Sequence, residues 1–508
     1  MGKRINQQNT KQELRISLFG PGMTALHKVG LAGLYMTLKA LEKEKGIPAL
    51  KHGSWKVSDT DVVLRWGKNP DAFFKELFKE SFKIDKEGFF WFPALGKPEN
   101  NRKSAALLQE SILGTFLQHG RTRKFFKGKN AEGSINISDD KKLPVFIRYR
   151  KIKSYPPYQT GEFNYNGFNK ILGVYFPGGA ERHQGLKGFT EIEEPPERAL
   201  CLRYSIIGAI YYEIKSRKEG IKAQYAVVIP NITNLKEYSN IRKHVLKYGV
   251  KNYYVSGAKE AGIKMITEME SIGMLKDIRS TFCRVISYGT VPWSSKQKTR
   301  VGAVTIKLNT KRDYKVFKYA LSCFEPYIIK RDKDQSFYSV PQMSGFIADN
   351  LSLGYPWWRG FSDYIATRNT AKIIFFYEKG GLQKMVENKE VLPDGVERIF
   401  VEVCHEAWRR HMGWIGEKVE REHGSFDAQV SREFEKTRIA FSRCKNPETL
   451  RNSVIDFWSR AGRIDILSEN WQNVIRLFDA DNWKKAKDLA LLALASYPLK
   501  SKEKKEKK

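Results

Sequence analysis

The chain has 508 residues, 41% hydrophobic and 13% aromatic, which is enough to bury the cores of two or three domains. Its formal net charge of +33 makes a self-contained small-molecule enzyme a poor explanation. It favours a polyanionic partner instead, because Lys and Arg that neutralise phosphates release condensed counterions. The hydrophilic N-terminus is not typical of a signal peptide, and the five scattered cysteines indicate neither a disulfide framework nor a zinc site. We therefore expect a cytoplasmic protein that binds no membrane, metal or cofactor.

The excess positive charge is concentrated in one part of the chain. Residues 385–508 contain 24 Lys and Arg against 21 Asp and Glu, a net charge of +3. The totals of 89 and 56 then leave 65 against 35, or +30, for residues 1–384. This asymmetry predicts that residues 1–384 form the nucleic-acid-binding part, with a possible break into subdomains near residues 130–195.

Strands and helices alternate in residues 1–384. A strand over Leu14–Phe19 precedes a helix over Ala25–Lys45, which Gly46 ends. Asn69-Pro70 provides an N-cap and a proline at the first position of the next helix, and a further helix is predicted over Arg102–His119. Strand-like runs follow at Val145–Tyr149, Tyr225–Ile229, Tyr253–Ser256, Phe282–Tyr288 and Val301–Leu308. The alternation predicts a mixed α/β part whose sheet is covered by helices.

Residues 385–508 have the pattern of a helical domain. Apolar residues recur at three- and four-residue steps from Val396 to Val419, and again from Val430 to Phe441. Asn446-Pro447 opens another helix, and two shorter helices follow. Short connections between amphipathic helices predict an antiparallel α-helical bundle, so the fold class of the whole chain is expected to be α+β. The Lys-rich tail from residue 500 is expected to be disordered.

One segment has the spacing of a dinucleotide-binding turn. Gly20-Pro-Gly22-Met-Thr-Ala25 lies between the first strand and the first helix, but Pro21 removes a backbone donor from the loop. The favoured interpretation is a tight turn followed by close helix packing through Gly30 and Gly33.

A second segment resembles a zinc-protease motif. His405-Glu406 is followed by His411, six residues after the first histidine, so the two side chains point in different directions from a helix. Both histidines are expected on an exposed helix face. With no catalytic motif in the sequence, we expect the chain not to be an enzyme, and a nuclease with scattered catalytic residues stays an alternative.

Basic segments provide the candidate nucleic-acid contacts. The cations of residues 121–129 surround Phe125 and Phe126, so that phosphates could be bound by charge and bases by stacking. A helix end whose cations complement the macrodipole is the alternative interpretation. The residues assigned to contact with DNA or RNA backbones are Arg121, Arg123, Lys124, Lys127, Lys129, Arg409 and Arg410.

A second group of polar and basic side chains could recognise base edges. Four lie in a loop between two strand-like runs, and three open a predicted helix, where capping is the alternative role of the asparagines. These residues are Lys296, Gln297, Lys298 and Arg300, and Asn100, Asn101 and Arg102. The pair Trp357-Trp358 could stack on a base, although adjacent tryptophans more often lie at a domain junction.

Three segments carry a resemblance to a known family. Leu26–Leu34, Gly88–Gly96 and Leu113–Gly120 resemble the large subunit of type I CRISPR interference complexes (Cascade), nearest to subtype I-B. A basic α/β part followed by a helical bundle matches the plan of that family. The bundle would then resemble the Cascade small subunit.

The resemblance implies a mechanism and a set of partners. Backbone subunits would hold a guide RNA, and the large subunit would sit at its 5′ end and recognise the protospacer-adjacent motif in double-stranded DNA. It would stabilise the R-loop with its bundle on the displaced strand, and a recruited helicase-nuclease or transposition proteins would act afterwards. A free-standing nucleic-acid-binding regulator is the alternative in the general binding class.

The junction near residue 380 suggests one more hypothesis. Lys379-Gly380-Gly381 can be encoded as a ribosome-binding sequence at a suitable distance from Met385. Translation from Met385 would yield a separate bundle of 124 residues. A glycine pair in an interdomain turn is the alternative interpretation.

Overall fold

The chain folds as an α+β protein of two compact units. The structure is a computed structural model that describes residues 12–47, 49–177, 192–215, 224–247, 249–271, 282–291, 298–308, 310–332, 335–422 and 425–497. One unit is Met1–Leu308 with Pro326–Val340, and the other is Asn309–Glu325 with Pro341–Lys508. The strands of the described residues lie in the first unit, and the second is helical. The predicted fold class with a helical C-terminal region is therefore confirmed.

The first unit combines small sheets with helices. Its strands are β1 (Glu13–Ser17), β2 (Gly53–Val57), β3 (Asp61–Trp66), β4 (Lys83–Ile84), β5 (Phe90–Trp91), β6 (Lys124–Phe125), β7 (Glu132–Asn136), β8 (Phe146–Arg150), β9 (Ile152–Ser154), β10 (Asn169–Lys170), β11 (Glu193–Glu194), β12 (Ile210–Ile214), β13 (Gln224–Pro230), β14 (Tyr254–Val255), β15 (Phe282–Val291), β16 (Lys298–Lys307), β17 (Tyr327–Asp332) and β18 (Gln335–Ser339). Its α-helices are α1 (Ala25–Lys45), α2 (Pro70–Ser81), α3 (Arg102–Gly114), α4 (Pro156–Gln159), α5 (Pro196–Gly208), α6 (Leu235–Lys247) and α7 (Ala258–Ser271).

Two sheets and several two-stranded ribbons connect these strands. The larger sheet has the order β14-β12-β13-β15-β16, in which β12 and β14 are parallel and the other pairs are antiparallel. The smaller sheet has the antiparallel order β1-β3-β2. The ribbons pair β4 with β5, β6 with β9, β7 with β8, β10 with β11, and β17 with β18.

Helix α1 begins and ends where its sequence predicts. Thr24 is the N-cap, and its side chain and that of His27 form a reciprocal capping box. Gly46 ends the helix with a φ of 78°, a conformation that glycine adopts without steric cost. The predicted bounds of Ala25–Lys45 are confirmed because both ends carry strong local signals.

Glycines let α1 and α5 pack with their backbones in close contact. A Cβ atom added at Gly30 would overlap the carbonyl oxygen of Cys201, and one at Gly33 would overlap that of Tyr204. A Cβ added at Gly208 of α5 would in turn overlap a backbone carbonyl of α1. The predicted role of Gly30 and Gly33 in helix packing is confirmed.

The loop before α1 is contacted by the side chain of Arg198. The carbonyl oxygen of Pro21 accepts a hydrogen bond from Arg198 Nη1 at 3.2 Å. The Arg198 guanidinium also lies where a side chain at Gly22 would have to be placed, and it forms an ion pair with Glu194. These contacts support a tight turn as the role of the Gly20–Gly22 segment.

Helix α3 is shorter than the sequence predicts. It ends at Gly114, and the Leu117 N–H then donates to the carbonyl oxygen of Ile112 at 2.9 Å. Phe116 and Leu117 are buried in irregular backbone. The prediction of a helix to His119 was wrong because core burial, and not helical periodicity, places these apolar residues.

The second unit consists of helices. They are α8 (Lys311–Cys323), α9 (Gln342–Ser352), α10 (Phe361–Tyr364), α11 (Arg368–Ile373), α12 (Lys379–Glu387), α13 (Val396–Glu422), α14 (Phe426–Arg443), α15 (Pro447–Ser459), α16 (Asp465–Ile475) and α17 (Trp483–Ser496). A π-helical turn, Ile374–Glu378, joins α11 to α12 without a break. The unit thus takes in residues 309–325 and 341–384 in addition to the predicted bundle.

The centre of the second unit is α17. Its residues from Asp488 to Ser496 are all buried, as expected for a helix that is surrounded by others. The Asp488 carboxylate accepts the backbone N–H groups of Gly360 and Ser362 at 2.7 and 2.9 Å, at the start of α10. A buried carboxylate is thereby satisfied and holds α10 against α17.

The glycine pair before Met385 does not form a turn. Gly380 and Gly381 lie inside α12, and Met385 is fully buried in the same helix. The interpretation as a turn was wrong because the π-helical turn continues directly into α12.

Candidate nucleic-acid interface

A basic surface surrounds two ribbons of the first unit. β6 pairs with β9, and the Phe126 and Lys151 backbones continue the pairing towards the β7–β8 ribbon. Five exposed cations on these segments define the surface, which we call the ribbon surface: Lys124, Lys127, Lys129, Arg148 and Lys153. Within the described part of the chain, none of the five has an ion-pair partner. Their charges are therefore available for phosphates.

Two arginines share one aromatic ring beside the ribbon surface. The Arg123 and Arg150 Cζ atoms lie 5.0 and 5.5 Å from the centre of the Phe125 ring. Glu110 binds Arg150 through a hydrogen bond of 2.8 Å between Nη2 and Oε2. Among the described residues, Arg123 Nε and Nη1 have no hydrogen-bond partner. Two cations against one carboxylate leave the cluster with a net positive charge.

Burial perturbs Arg123. Desolvation, and then the nearby charge of Arg150, lower the pKa of Arg123 to about 10. The guanidinium is still charged at neutral pH, but it carries a desolvation cost that an anion would offset. Arg121, which is exposed, precedes it in a short 3₁₀ turn. Of the sequence-predicted backbone contacts, the five from residue 121 to 129 lie within nine consecutive residues, and four of them are exposed.

The residues that open α3 are occupied by local structure. Asn101 is the N-cap and accepts the Ser104 N–H at 3.2 Å, as the capping alternative predicts. Arg102 forms an ion pair with Glu87. Asn100 is exposed at the end of a 3₁₀ turn. Recognition of base edges by these three residues stays a prediction.

The second base-reading segment flanks a long ribbon. Lys296 and Gln297 lie outside the described residues. Lys298 and Arg300 belong to β16, whose backbone pairs them with Val291 and Gly289 of β15. The two predicted strands are present, but the prediction that Lys298 and Arg300 lie in the loop was wrong, because β16 already begins at Lys298. The function of this segment stays a prediction.

Arg409 and Arg410 are neighbours of one carboxylate on α13. Both donate to Glu406, at distances of 2.6 to 2.8 Å, and hydrogen bonds from Arg409 first and Arg410 next lower the pKa of Glu406 to about 2. Arg410 also donates to the carbonyl oxygen of Ala461 at 3.1 Å and so holds the end of α15. Arg409 is exposed, whereas Arg410 is half-buried and contacts both Glu406 and the Ala461 carbonyl oxygen.

The two histidines of α13 are not on an exposed face. His405 Nε2 lies 3.0 Å from both the Ala493 carbonyl oxygen and Ser496 Oγ of α17, and burial lowers its pKa to about 4. His411 is half-buried and stacks on Trp414, with ring centres 5.8 Å apart. The prediction of exposure was wrong because both rings fill gaps between helices. Among the described residues, no group of three or more His, Cys, Asp or Glu could hold a metal ion.

The adjacent tryptophans belong to the core of the second unit. Trp357 and Trp358 are both buried, and Trp357 Nε1 donates to the carbonyl oxygen of Val391 at 3.3 Å. All the described residues that line the two clefts beside Trp358, of about 470 and 670 Å³, belong to the second unit. Buried rings are not available to stack on a base.

One aromatic and basic cavity was missed in the sequence. It lies between the π-helical turn and α14 and has a volume of about 330 Å³. We call it the phenyl pocket, and its rings and rim cations are Phe375, Phe376, Phe434, Arg368, Lys372 and Arg432. The run Phe375-Phe376-Tyr377 after two cations was the available signal. If this segment were a regular helix, the aromatic run would be interpreted as part of its buried face.

No helix in the part of the chain that the structure describes has the length and apolarity to cross a membrane.

Comparison with known proteins covers most of the chain. Residues 15–203 match the family model described as the DevT N-terminal domain, and residues 388–508 match that of the DevT C-terminal domain. The chain is 27% identical to "CRISPR-associated protein Cas8a1/Csx13" of Myxococcus xanthus (strain DK1622), over 98% of this chain and 91% of the relative. The first matched segment lies at the start of the basic part, and the second lies in the helical C-terminal region. The comparisons therefore support the resemblance of this chain to a CRISPR-associated large subunit.

Proposed function

We propose that the chain is the non-catalytic large subunit of a type I CRISPR surveillance complex guided by RNA. It contacts the 5′ end of the guide RNA, recognises the protospacer-adjacent motif in double-stranded DNA and stabilises the R-loop, with its helical segment on the displaced strand. The observation that carries the proposal is the similarity to a CRISPR-associated protein along 98% of the chain. The charge excess of residues 1–384 and the ribbon surface support it.

The same proposal names the partners. Cascade backbone subunits and a small subunit would share the complex in the cytoplasm, and a helicase-nuclease or transposition proteins would be recruited after target binding. The assignment to subtype I-B stays a prediction. A chain without a catalytic site is sufficient for this role, because base pairing selects the target and separate proteins process it.

Two kinds of contact should respond differently to mutation. Lys124→Ala and Lys127→Ala are expected to weaken binding of the guided complex to every target duplex and to lower the salt slope by about one unit for each lost phosphate contact. Lys298→Ala or Arg300→Ala are expected to change which adjacent motif is selected. Lys39→Ala is the control, because Lys39 is paired with Glu42 on α1, and its removal changes the net charge equally.

The measurement is selection from a duplex library with randomised bases next to the target, at two or more salt concentrations. Uniform losses for the ribbon-surface variants, with the control unchanged, would support the proposal. A free-standing regulator would bind the library without guide RNA, and a nuclease would cut it without partners. Either result would contradict the proposed function.

A further inference from the structure

The phenyl pocket is built from three rings of differing exposure. Phe434 is buried, and its ring centre lies 4.5 Å from that of Phe375 at an interplanar angle of 41°. Phe376 meets Phe375 edge-on at 5.3 Å and 85°, and 64% of its surface is exposed. The cavity of about 330 Å³ therefore offers apolar ring faces to a planar group from solution.

The π-helical turn accounts for the exposed rings. Ile374 and Glu378 are buried, and the Glu378 carboxylate accepts the backbone N–H groups of Gln342 and Met343 at 2.7 and 2.8 Å. The turn is thereby held at the start of α9, while Phe376 and its neighbour Tyr377 face solvent. Exposed adjacent aromatics on a rare helical form are typical of a binding site and not of a folding core.

The rim of the pocket is cationic. Arg368, Lys372 and Arg432 are exposed, and among the described residues none has an ion-pair partner. The one acid in the lining, Glu435, is bound by Arg438 through hydrogen bonds of 2.8 and 3.0 Å. The charges of Arg368 and Lys372 also favour the ionised form of Glu435, after the contribution of Arg438, so the lining still has more cations than acids. The surroundings favour an anionic occupant with an apolar, flat part.

We propose that the phenyl pocket binds an unpaired base of a single-stranded nucleic acid. The base stacks on the exposed ring of Phe376 and meets the ring of Phe375 edge-on, because the two rings are nearly perpendicular. The phosphates on either side contact Arg368, Lys372 and Arg432. Charge complementarity selects this occupant over an apolar peptide, and the flat ring faces accept any base. The inference rests on the proposed nucleic-acid function, but it requires neither guide RNA nor an adjacent motif.

Phe376→Ala tests the proposal on the full-length chain, without guide RNA. The first probe is a fluorescent oligothymidylate of twelve nucleotides. The second probe is an oligonucleotide of the same length whose central residues are abasic, so that it keeps the phosphates but lacks the central bases. We expect Phe376→Ala to weaken binding of the first by about ten-fold and to leave binding of the abasic probe unchanged. Equal effects on both probes, or none, would overturn the proposal.

A second readout locates the base, and a matched variant controls for exposed aromatics in general. A 5-iodouracil probe irradiated on the chain is expected to crosslink to Phe375 or Phe376, and crosslinks confined to other residues would overturn the proposal. Trp414→Ala removes an aromatic side chain that is 53% exposed on the same unit, and it should leave the affinity unchanged. A loss as large as that of Phe376→Ala would also overturn the assignment.

A protein partner is the competing outcome. If an acidic peptide with one central phenylalanine bound in a way that depended on Phe376 and Arg432, while both oligonucleotides bound the variants normally, the pocket would be a peptide site. These assays omit guide RNA. They can therefore refute the proposal for the phenyl pocket without refuting the guided complex, and the guided complex can be refuted without refuting the proposal for the pocket.

Discussion

Gly380 and Gly381 are neighbours in α12, yet their surroundings differ sharply. A Cβ atom added at Gly380 would meet no atom within 4 Å. A Cβ added at Gly381 would lie 2.6 Å from Phe324 Cδ1 and 2.8 Å from the carbonyl oxygen of Cys323. We therefore expect Gly380→Ala to stabilise the helical unit and Gly381→Ala to destabilise it.

The magnitudes follow from two opposing effects. Replacing glycine by alanine in a helix contributes about 0.5–1 kcal/mol of stability. Overpacking against a rigid surface costs about 1–3 kcal/mol, so Gly381→Ala should lose up to about 2 kcal/mol overall. Both variants share the helix gain, so their stabilities differ by the overpacking cost. The unit has segments of 17 and 168 residues. At that size, about 1 kcal/mol shifts Tm by about 2–4 °C, so the two variants should differ by about 2 °C or more.

Thermal unfolding followed by tryptophan fluorescence is a suitable assay, because seven of the eleven tryptophans lie within residues 341–508. Each variant serves as the control of the other, since both add the same methyl group to adjacent positions. If both raised Tm, or if Gly381→Ala were the more stable of the two, the close approach between α12 and the end of α8 would be refuted.

Two further predictions concern the helical region. The folded pKa of His405 is about 4, below its unfolded value of 6.5, so its contribution to stability is present above pH 6.5 and is lost as the pH falls towards 4. Between pH 7 and pH 5 this loss is about 2 kcal/mol, and urea unfolding of His405→Gln should show a pH dependence smaller by that amount. Synonymous recoding of Gly380 and Gly381 is expected to reduce a C-terminal product of 124 residues on an immunoblot; an undiminished product would contradict the internal start at Met385.

Local signals were sufficient where both ends of an element are marked. Thr24 and Gly46 bound α1, and Asn69 with Pro70 opens α2, so both helices could be placed from the sequence. The extent of the second unit could not be predicted. It includes α8, which lies in the chain between two strands of the first unit, and contacts between distant segments leave no local pattern.

The candidate site was predictable to a similar degree. The mixture of cations and phenylalanines around Arg123 was visible, but the partners of Arg102 and Arg150 are distant in sequence. The pairing of Arg409 and Arg410 with Glu406 was predictable, because residues three and four apart meet on a helix. The phenyl pocket was missed although the run Phe375-Phe376-Tyr377 is visible in the sequence, because the exposure of these rings depends on a π-helical turn.

Sequencing the RNA that co-purifies with the tagged full-length chain from its native host tests the central proposal most directly. The proposed function predicts RNAs of uniform guide length that carry a 5′ handle derived from a CRISPR repeat. Heterogeneous cellular RNA, or no RNA, would contradict membership in a guided complex. The net charge of +33 would then have to be explained by general binding to nucleic acids.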